Sequence, residues 1–252
     1  YARSRSEDIS LLAALRAITS GTDSPGCTKD VFDASVKRMA LIAAADLSRV
    51  SAQQWGEERF FGGHDRWFPQ GYDSVATELA RGLDIRYKHP VDKVGYEDGE
   101  AVVSCNEDIF GGRWAVVTVS LGVLKSSSIH FEPRLPEWKS AAIAELGMGL
   151  LDKVGLCFGR RFWPRTGHLM AERIGECVFG SFSDMQGDAA PFPLMAWAED
   201  ANAFCLEDKT IEEATDDVLS CLQRMTGERV DSPLKVVLSK WYAEKFFRGS
   251  YS

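Results

Sequence analysis

The chain has 252 residues, of which 45% are hydrophobic, and carries seven tryptophans and a formal net charge of −8. That length and apolar content build one large domain or two modest ones with real cores, which excludes an intrinsically disordered chain. No run approaches the roughly 18 consecutive apolar residues of a membrane span. The acidity argues against broad nucleic-acid binding through phosphate neutralisation and suits a cationic substrate.

The first residues, Tyr1-Ala2-Arg3-Ser4-Arg5-Ser6, have no hydrophobic signal region behind them. With no initiator methionine and an abrupt stop at Gly249-Ser250-Tyr251-Ser252, the sequence reads as an excised or processed piece. Helix-spaced apolar residues predict a helix over 7–19, ended by Gly21, and a second over 29–47 through Phe32, Val36, Met39 and Ala43. The Gly-, Ser-, Pro- and Asp-rich stretch 20–29 between them reads as a loop. Gly62-Gly63 and Pro69-Gln70-Gly71 then punctuate the chain, a short helix follows over 72–81, and β-like runs come at 84–87, 91–96, 100–105 and 113–119.

A helix is expected over 136–146, with proline in its first turn and Gly147 near its end. Strands follow at 153–158, 176–183 and 193–198. A helix over 211–225 turns Ala214, Val218, Cys221 and Leu222 inward; it is acidic at its front and basic at Arg224, complementing the helix dipole. A strand over 234–241 closes the series. No internal repeat occurs, and the class is mixed α and β.

The six cysteines have no Cys-x-x-Cys pair and no histidines at zinc-ligand spacing, so they read as buried reduced thiols of an intracellular protein. The four histidines stand apart from one another, which gives a metal or a serine triad little support.

Lys153 is the residue whose surroundings are most unusual. Strand alternation puts Lys153, Gly155 and Cys157 on one face and Asp152, Val154, Leu156 and Phe158 on the other. A long cation therefore stands beside a glycine gap, where a flat ligand can approach the backbone. On pattern alone, the commoner reading of such a lysine is a solvated or snorkelling side chain.

Several motifs in order extend this picture. They are Pro69-Gln70-Gly71-Tyr72, Leu79-Ala80-Arg81-Gly82-Leu83-Asp84-Ile85, Val117-Thr118-Val119-Ser120-Leu121-Gly122-Val123-Leu124-Lys125 and Ile129-His130-Phe131-Glu132-Pro133-Arg134-Leu135-Pro136. The Lys153 segment follows, then Phe162-Trp163, Lys240-Trp241 and Arg248-Gly249-Ser250-Tyr251-Ser252. Over residues 55–252 the series resembles the flavin-containing amine oxidase family. It is most similar to the branch of lysine-specific histone demethylases and polyamine oxidases, without the helical hairpin that some demethylases insert.

The resemblance implies an α+β fold: a mixed β-sheet flanked by helices, the substrate domain, joined to part of an FAD-binding α/β domain. Residues 1–62 would be the helical part of the substrate domain and 63–125 a segment of the FAD-binding domain. Residues 126–241 would supply the substrate-domain sheet and helices, and 242–252 the start of the return to the FAD-binding domain. It also implies an FAD-dependent oxidase that passes hydride from an amine carbon to flavin and yields imine and hydrogen peroxide. Lys153 would hold a water against the flavin as the catalytic helper. Trp241 would pack near the flavin, the main chain of Val91 would touch the adenine end, and Tyr251 would form one wall of an aromatic cage for the substrate amine.

Without the resemblance, Trp241 reads equally as a core aromatic, Val91 as a buried strand valine, and Tyr251 as a residue that frays at the chain end. Glu57 and Glu58 read as a solvated loop. Ser120 stands where the family has proline, which puts the local cofactor wall in doubt. No Gly-x-Gly-x-x-Gly occurs and a C-terminal cofactor motif is lacking, so these residues alone should hold little or no FAD. The expected substrate is a methylated lysine in a histone-like peptide, with a spermine- or spermidine-type polyamine as the alternative and a catalytically silent interaction module as a third reading. The expected partners are that amine and chromatin proteins, with no direct nucleic acid and no membrane, in the nucleus or cytoplasm.

Overall fold

The computed structural model describes residues 7–20, 28–57, 62, 63, 68, 71–164, 168–170, 179–185 and 190–251. In chain order the elements are α1 (Leu11–Ser20), α2 (Lys29–Ala43), α3 (Asp73–Leu79), β1 (Lys93–Glu97), β2 (Glu100–Cys105), β3 (Asp108–Gly112), α4 (Leu121–Lys125), β4 (His130–Glu132) and α5 (Glu137–Glu145). They continue with β5 (Leu151–Phe158), β6 (His168–Met170), β7 (Ser181–Asp184), β8 (Phe192–Glu199), α6 (Ala201–Glu207), α7 (Ile211–Thr226) and β9 (Lys235–Leu238). The expected mixed fold is present as two compact units. One comprises Tyr1–Trp55, Thr118–Ser126 and Trp138–Ser252; the other comprises Gly56–Val117 and Ser127–Glu137.

The smaller unit holds a four-stranded sheet in the order β3-β2-β1-β4, antiparallel except for the parallel pair β1 and β4. Its first hairpin turns on Asp98 and Gly99, both at positive φ, the two-residue geometry that follows strand twist. Two expected strands are not formed. In 84–87, Arg86 pairs with Asp84 two residues away at 2.9 Å, the stretch is exposed, and the chain turns at Lys88 with φ 60°. At 113–119 the expected strand is displaced to 108–112, because a tight turn at Asn106, φ 54°, pairs Cys105 with Asp108 and gives the free edge of β2 to the glycine-ended β3. Trp114 and Val116 are left 81% and 84% exposed.

The larger unit is built on the antiparallel sheet β6-β7-β8-β5-β9. Its main core joins Val154, Leu156 and Phe158 of β5 and Leu194, Ala196 and Ala198 of β8 to Ala203 and Leu206 of α6 and the inner face of α7. That inner face is Ala214, Val218, Cys221 and Leu222, as the helical period predicts. Thr210 and Glu213 form a reciprocal capping box at the start of α7, satisfying two otherwise orphaned backbone donors. A second cluster packs Val36, Met39 and Ala43 of α2 against Leu11, Ala14, Leu47 and Ala52. The expected strand 176–183 is partly outside the described residues; its described part is β7. Cys105, Cys157 and Cys205 are free thiols, but Cys221 is disulfide-bonded, against the reduced-thiol expectation, with its sulfur 3.9 Å from the Phe179 carbonyl.

Candidate active site

The alternation along β5 is as expected: Asp152, Val154, Leu156 and Phe158 are buried, and Lys153, Gly155 and Cys157 are half-buried. The expected gap beside Lys153 is closed by the neighbouring strand. Register pairs Lys153 with Trp197 and Gly155 with Met195, and residues directly opposite in an antiparallel pair share a face. Lys153 Nζ lies 4.7 Å from the centre of the Trp197 ring, and Met195 sulfur lies 3.7 Å from where a Gly155 Cβ would stand. Trp197 is fixed in turn by its indole N–H, which donates to Ser183 Oγ at 2.9 Å.

Burial holds the Lys153 ammonium below the ordinary lysine pKa, while the neighbouring Asp152 carboxyl pulls the other way. Among the described residues its contact is the Trp197 face rather than a carboxylate. A half-buried cation without an ion pair fits an electron-rich flat ring, and in this respect the residues present suit a flavin. No Gly-x-Gly-x-x-Gly turn for a pyrophosphate occurs in the 252 residues.

The segment after β9 returns along the head of β5. Lys153 N–H donates to Ser239 Oγ at 2.8 Å, and Ser239 O–H donates to Asp152 Oδ1 at 2.7 Å. Trp241 N–H reaches the same carboxylate oxygen at 3.2 Å. Its indole packs on the main core and meets Phe247 edge-on, ring centres 5.2 Å apart. Further on, Gly249 N–H donates to the Trp241 carbonyl, Ser250 Oγ bonds both backbone groups of Leu151, and Tyr251 bridges Gly149.

Tyr251 therefore does not fray. Its phenol donates to the carbonyls of Leu41 at 3.3 Å and Ile42 at 3.0 Å, in the last turn of α2, where a helix leaves carbonyls unpaired. Burial raises its pKa. Gly149 is required by close approach: a Cβ would stand 2.8 Å from the Ala44 carbonyl oxygen and 3.1 Å from that of Tyr251.

Ser120 has φ −62°, the value proline would impose, and its hydroxyl does what proline cannot. It accepts from Val123 N–H as the N-cap of α4 and donates to the Phe247 carbonyl. A Cβ on Gly122 would overlap the Arg248 carbonyl, so α4 and the terminal Arg-Gly-Ser-Tyr segment fit backbone against backbone.

Lys153, Trp241 and Tyr251 are thus tied to one strand head by adjoining hydrogen bonds. Val91 belongs to the smaller unit. It lies two residues ahead of β1 rather than in a strand and is 37% exposed rather than buried, because Pro90 before it has no N–H to extend the ladder. Glu57 is exposed, as a solvated loop would be, and Glu58 lies outside the described residues.

Asp152 was the overlooked residue, though its signal was present: a carboxylate on the apolar face of a predicted strand. It is fully buried, Oδ2 has no donor among the described residues, and burial above all raises its pKa from 3.8 to about 6. Glu199, opposite Leu151 at the end of β8, was overlooked too; burial raises it to about 7. No sequence signal marked it.

Lys153 thus lies over one aromatic ring on the sheet face, with the buried Asp152 carboxyl on the opposite face of the same strand. The chain belongs to the family of flavin containing amine oxidoreductases, which it matches over residues 13–252. It is 35% identical over 231 residues to polyamine oxidase 2 of Arabidopsis thaliana, covering 90% of this chain and 46% of that protein. It is 32% identical over 259 residues to lysine-specific histone demethylase 1 homolog 1 of Oryza sativa subsp. japonica, covering 97% of this chain and 30% of that protein.

The cyclohexylamine oxidase of Brevibacterium oxydans shares the fold, with a TM-score of 0.73 over 94% of this chain and 55% of that one at 19% identity. A putrescine oxidase solved with putrescine bound aligns at TM-score 0.61 and 23% identity, covering 73% of this chain and 41% of that one. The chain spans about half the length of the polyamine oxidases it matches, or less. No described helix is long and apolar enough to cross a membrane.

Proposed function

We propose that the whole protein is an FAD-dependent amine oxidase and that this chain supplies the substrate-side wall of its active site. The observation that carries the reading is Lys153, half-buried on a sheet face over an aromatic ring and without an ion pair among the described residues. The bound flavin supplies the two-electron acceptor for a hydride from the carbon next to nitrogen. Lys153 orients a water by hydrogen bonding, and its charge favours negative charge gathered on the ring. The same charge disfavours a protonated substrate nitrogen nearby, and hydride loss requires the neutral amine with its lone pair. Trp241 closes one side of the site against solvent, and Tyr251 offers the substrate amine an aromatic face.

The proposed substrate is a polyamine of the spermine or spermidine type, supported by polyamine oxidases that match about 90% of the chain at 30 to 35% identity. A methylated lysine, with chromatin partners and a nuclear site of action, is a second reading. It is supported by the rice demethylase homologue and by a homologue from Arabidopsis thaliana at 33% identity over 89% of the chain. The main chain of Val91 is proposed to meet the adenine end of the cofactor. The diphosphate would be held by residues outside these 252.

Peroxide release by the FAD-loaded full-length protein, with spermidine, spermine and methylated histone-tail peptides, tests the reading. Lys153→Met is expected to lower kcat/KM about 100-fold or more, the scale of removing one preorganised electrostatic group. Unchanged turnover in that variant would remove Lys153 from the chemistry. Absence of turnover in the unmodified protein would favour a silent interaction module.

A further inference from the structure

Lys153 and Trp197 meet because β5 and β8 put them directly opposite each other, and three strands take part in the contact. On β7, Ser183 Oγ accepts the indole N–H at 2.9 Å, which fixes the plane of the ring. On β8, Trp197 presents that plane to the ammonium, 4.7 Å from the ring centre. On β5, Gly155 leaves a space two residues along, but Met195 fills it, with sulfur and methyl carbon both 3.7 Å from where a Cβ would stand. The hollow beside the lysine is therefore closed, and the ring is the surface on which its side chain rests. A cation over a tryptophan face is attracted by the ring quadrupole, more strongly as water is withdrawn. A carboxylate would hold the ammonium and cancel its charge, whereas a ring holds it and leaves the net charge intact.

We propose that Trp197 is a positioning residue of this site, its indole face keeping the Lys153 ammonium in place and in its charged form in the absence of an ion pair. Its bearing on the reaction rests on the reading of Lys153 as the residue beside the flavin; the stack of ammonium on indole does not. Charged groups are few among the described residues of the neighbouring strands. On β5, Asp152 adjoins Lys153 but faces the core. On β8, Glu199 stands two positions beyond Trp197 on the same face, and burial keeps it protonated up to about pH 7. Asp184 of β7 is paired with Arg161, and Lys235 of β9 lies opposite Cys157, further along the ladder. Lys240 of the returning segment donates to the carbonyls of Glu207 and Lys209. Among these, Asp152 is the group whose charge bears on Lys153. Burial is thus opposed by one carboxyl and one ring, and without the ring Lys153 gives up its proton at a lower pH.

NMR of the FAD-loaded full-length protein with isotope-labelled lysine tests this, the Lys153 signal being identified by its loss in Lys153→Met. In the unmodified protein the Lys153 Cε protons are expected upfield of those of other lysines, displaced by the ring current of Trp197. Trp197→Leu should remove that displacement and bring the Lys153 titration about one pH unit lower. Trp197→Phe keeps a ring but drops the indole N–H that ties it to Ser183, so it should show part of both changes. The alkaline limb of kcat/KM should move with the titration in each variant. A purely structural role predicts lower stability in both variants and a Lys153 titration that stays where it was. An undisplaced Lys153 signal in the unmodified protein, or a titration that stays or rises in folded Trp197→Leu, would overturn the stack. Should Trp197→Leu not fold, an unmoved titration in Trp197→Phe would overturn it equally. If the unmodified protein oxidises no amine, the proposed function falls and the NMR data still decide the stack. If the titration moves and the turnover profile does not follow it, the stack stands and its bearing on the reaction falls.

Discussion

Glu199 offers a direct measure of what the fold tolerates next to the site. Its Oε2 is buried without a partner among the described residues, and burial lifts its pKa from 4.5 to about 7, with Asp200 adding to the shift and Lys37 of α2 opposing it. Between those two values the folded state binds a proton that the unfolded chain has released, so stability falls as pH rises from about 4.5 to about 7 and is level above. A rise from 4.5 to about 7, at about 1.4 kcal/mol per pH unit, comes to about 3.5 kcal/mol, and solvent reaching the half-buried group brings this nearer 2 kcal/mol. Glu199→Gln keeps the shape and carries no such charge. Urea unfolding of the full-length protein and the variant, followed by tryptophan fluorescence at several pH values, should therefore give near-equal stabilities at about pH 4.5, with the glutamine variant more stable by about 2 kcal/mol at about pH 8. Parallel stability curves would refute the reasoning, because the difference must open within that window if Glu199 holds its proton in the fold.

The remaining predictions concern the backbone contacts that carry Trp241 and Tyr251. Ser120→Ala removes an N-cap and the bond to the Phe247 carbonyl, at a cost of about 1 to 2 kcal/mol read as a lowered denaturation midpoint. Ser120→Pro should recover part of that loss, because φ −62° suits proline and a proline there restricts the unfolded chain. Gly149→Ala drives a methyl group into the Ala44 and Tyr251 carbonyls. It should cost about 1 to 3 kcal/mol and speed amide exchange at position 149 and at Ser250; unaltered exchange would mean the bridge is not held by close approach.

The parts of this fold that were legible in the sequence are those where one local pattern had no competitor. Helix α7 places Ala214, Val218, Cys221 and Leu222 inward at helical spacing, and β5 alternates as written because both neighbouring strands accept its register. Residues 113–119 are β-prone too, yet both edges of β2 are already taken, and no residue count reveals that a left-handed turn at Asn106 will start the partner strand at Asp108. The site divides in the same way. Lys153 was visible as a cation on an apolar strand. The ring over which it lies comes from β8, 44 positions along the chain, and only the sheet register brings Trp197 to it. Asp152 was visible as a misplaced charge, but its meaning depended on Ser239 and Trp241, both distant in sequence.

Consecutive residues on a strand point to opposite faces, and here that geometry joins a half-buried cation to a buried carboxyl. Lys153 N–H, Ser239 hydroxyl, Asp152 carboxyl and Trp241 N–H form one relay of hydrogen bonds, so the backbone carrying the cation and the backbone carrying the tryptophan move together. Productive geometry at a reactive site must hold within about 0.5 Å, and a relay through a fully buried carboxyl resists displacement because breaking it orphans donors in the core. Tyr251 is set independently of the relay, by the open carbonyls at the end of α2. That end carries partial negative charge, which the Tyr251 phenol O–H meets with its own partial positive charge.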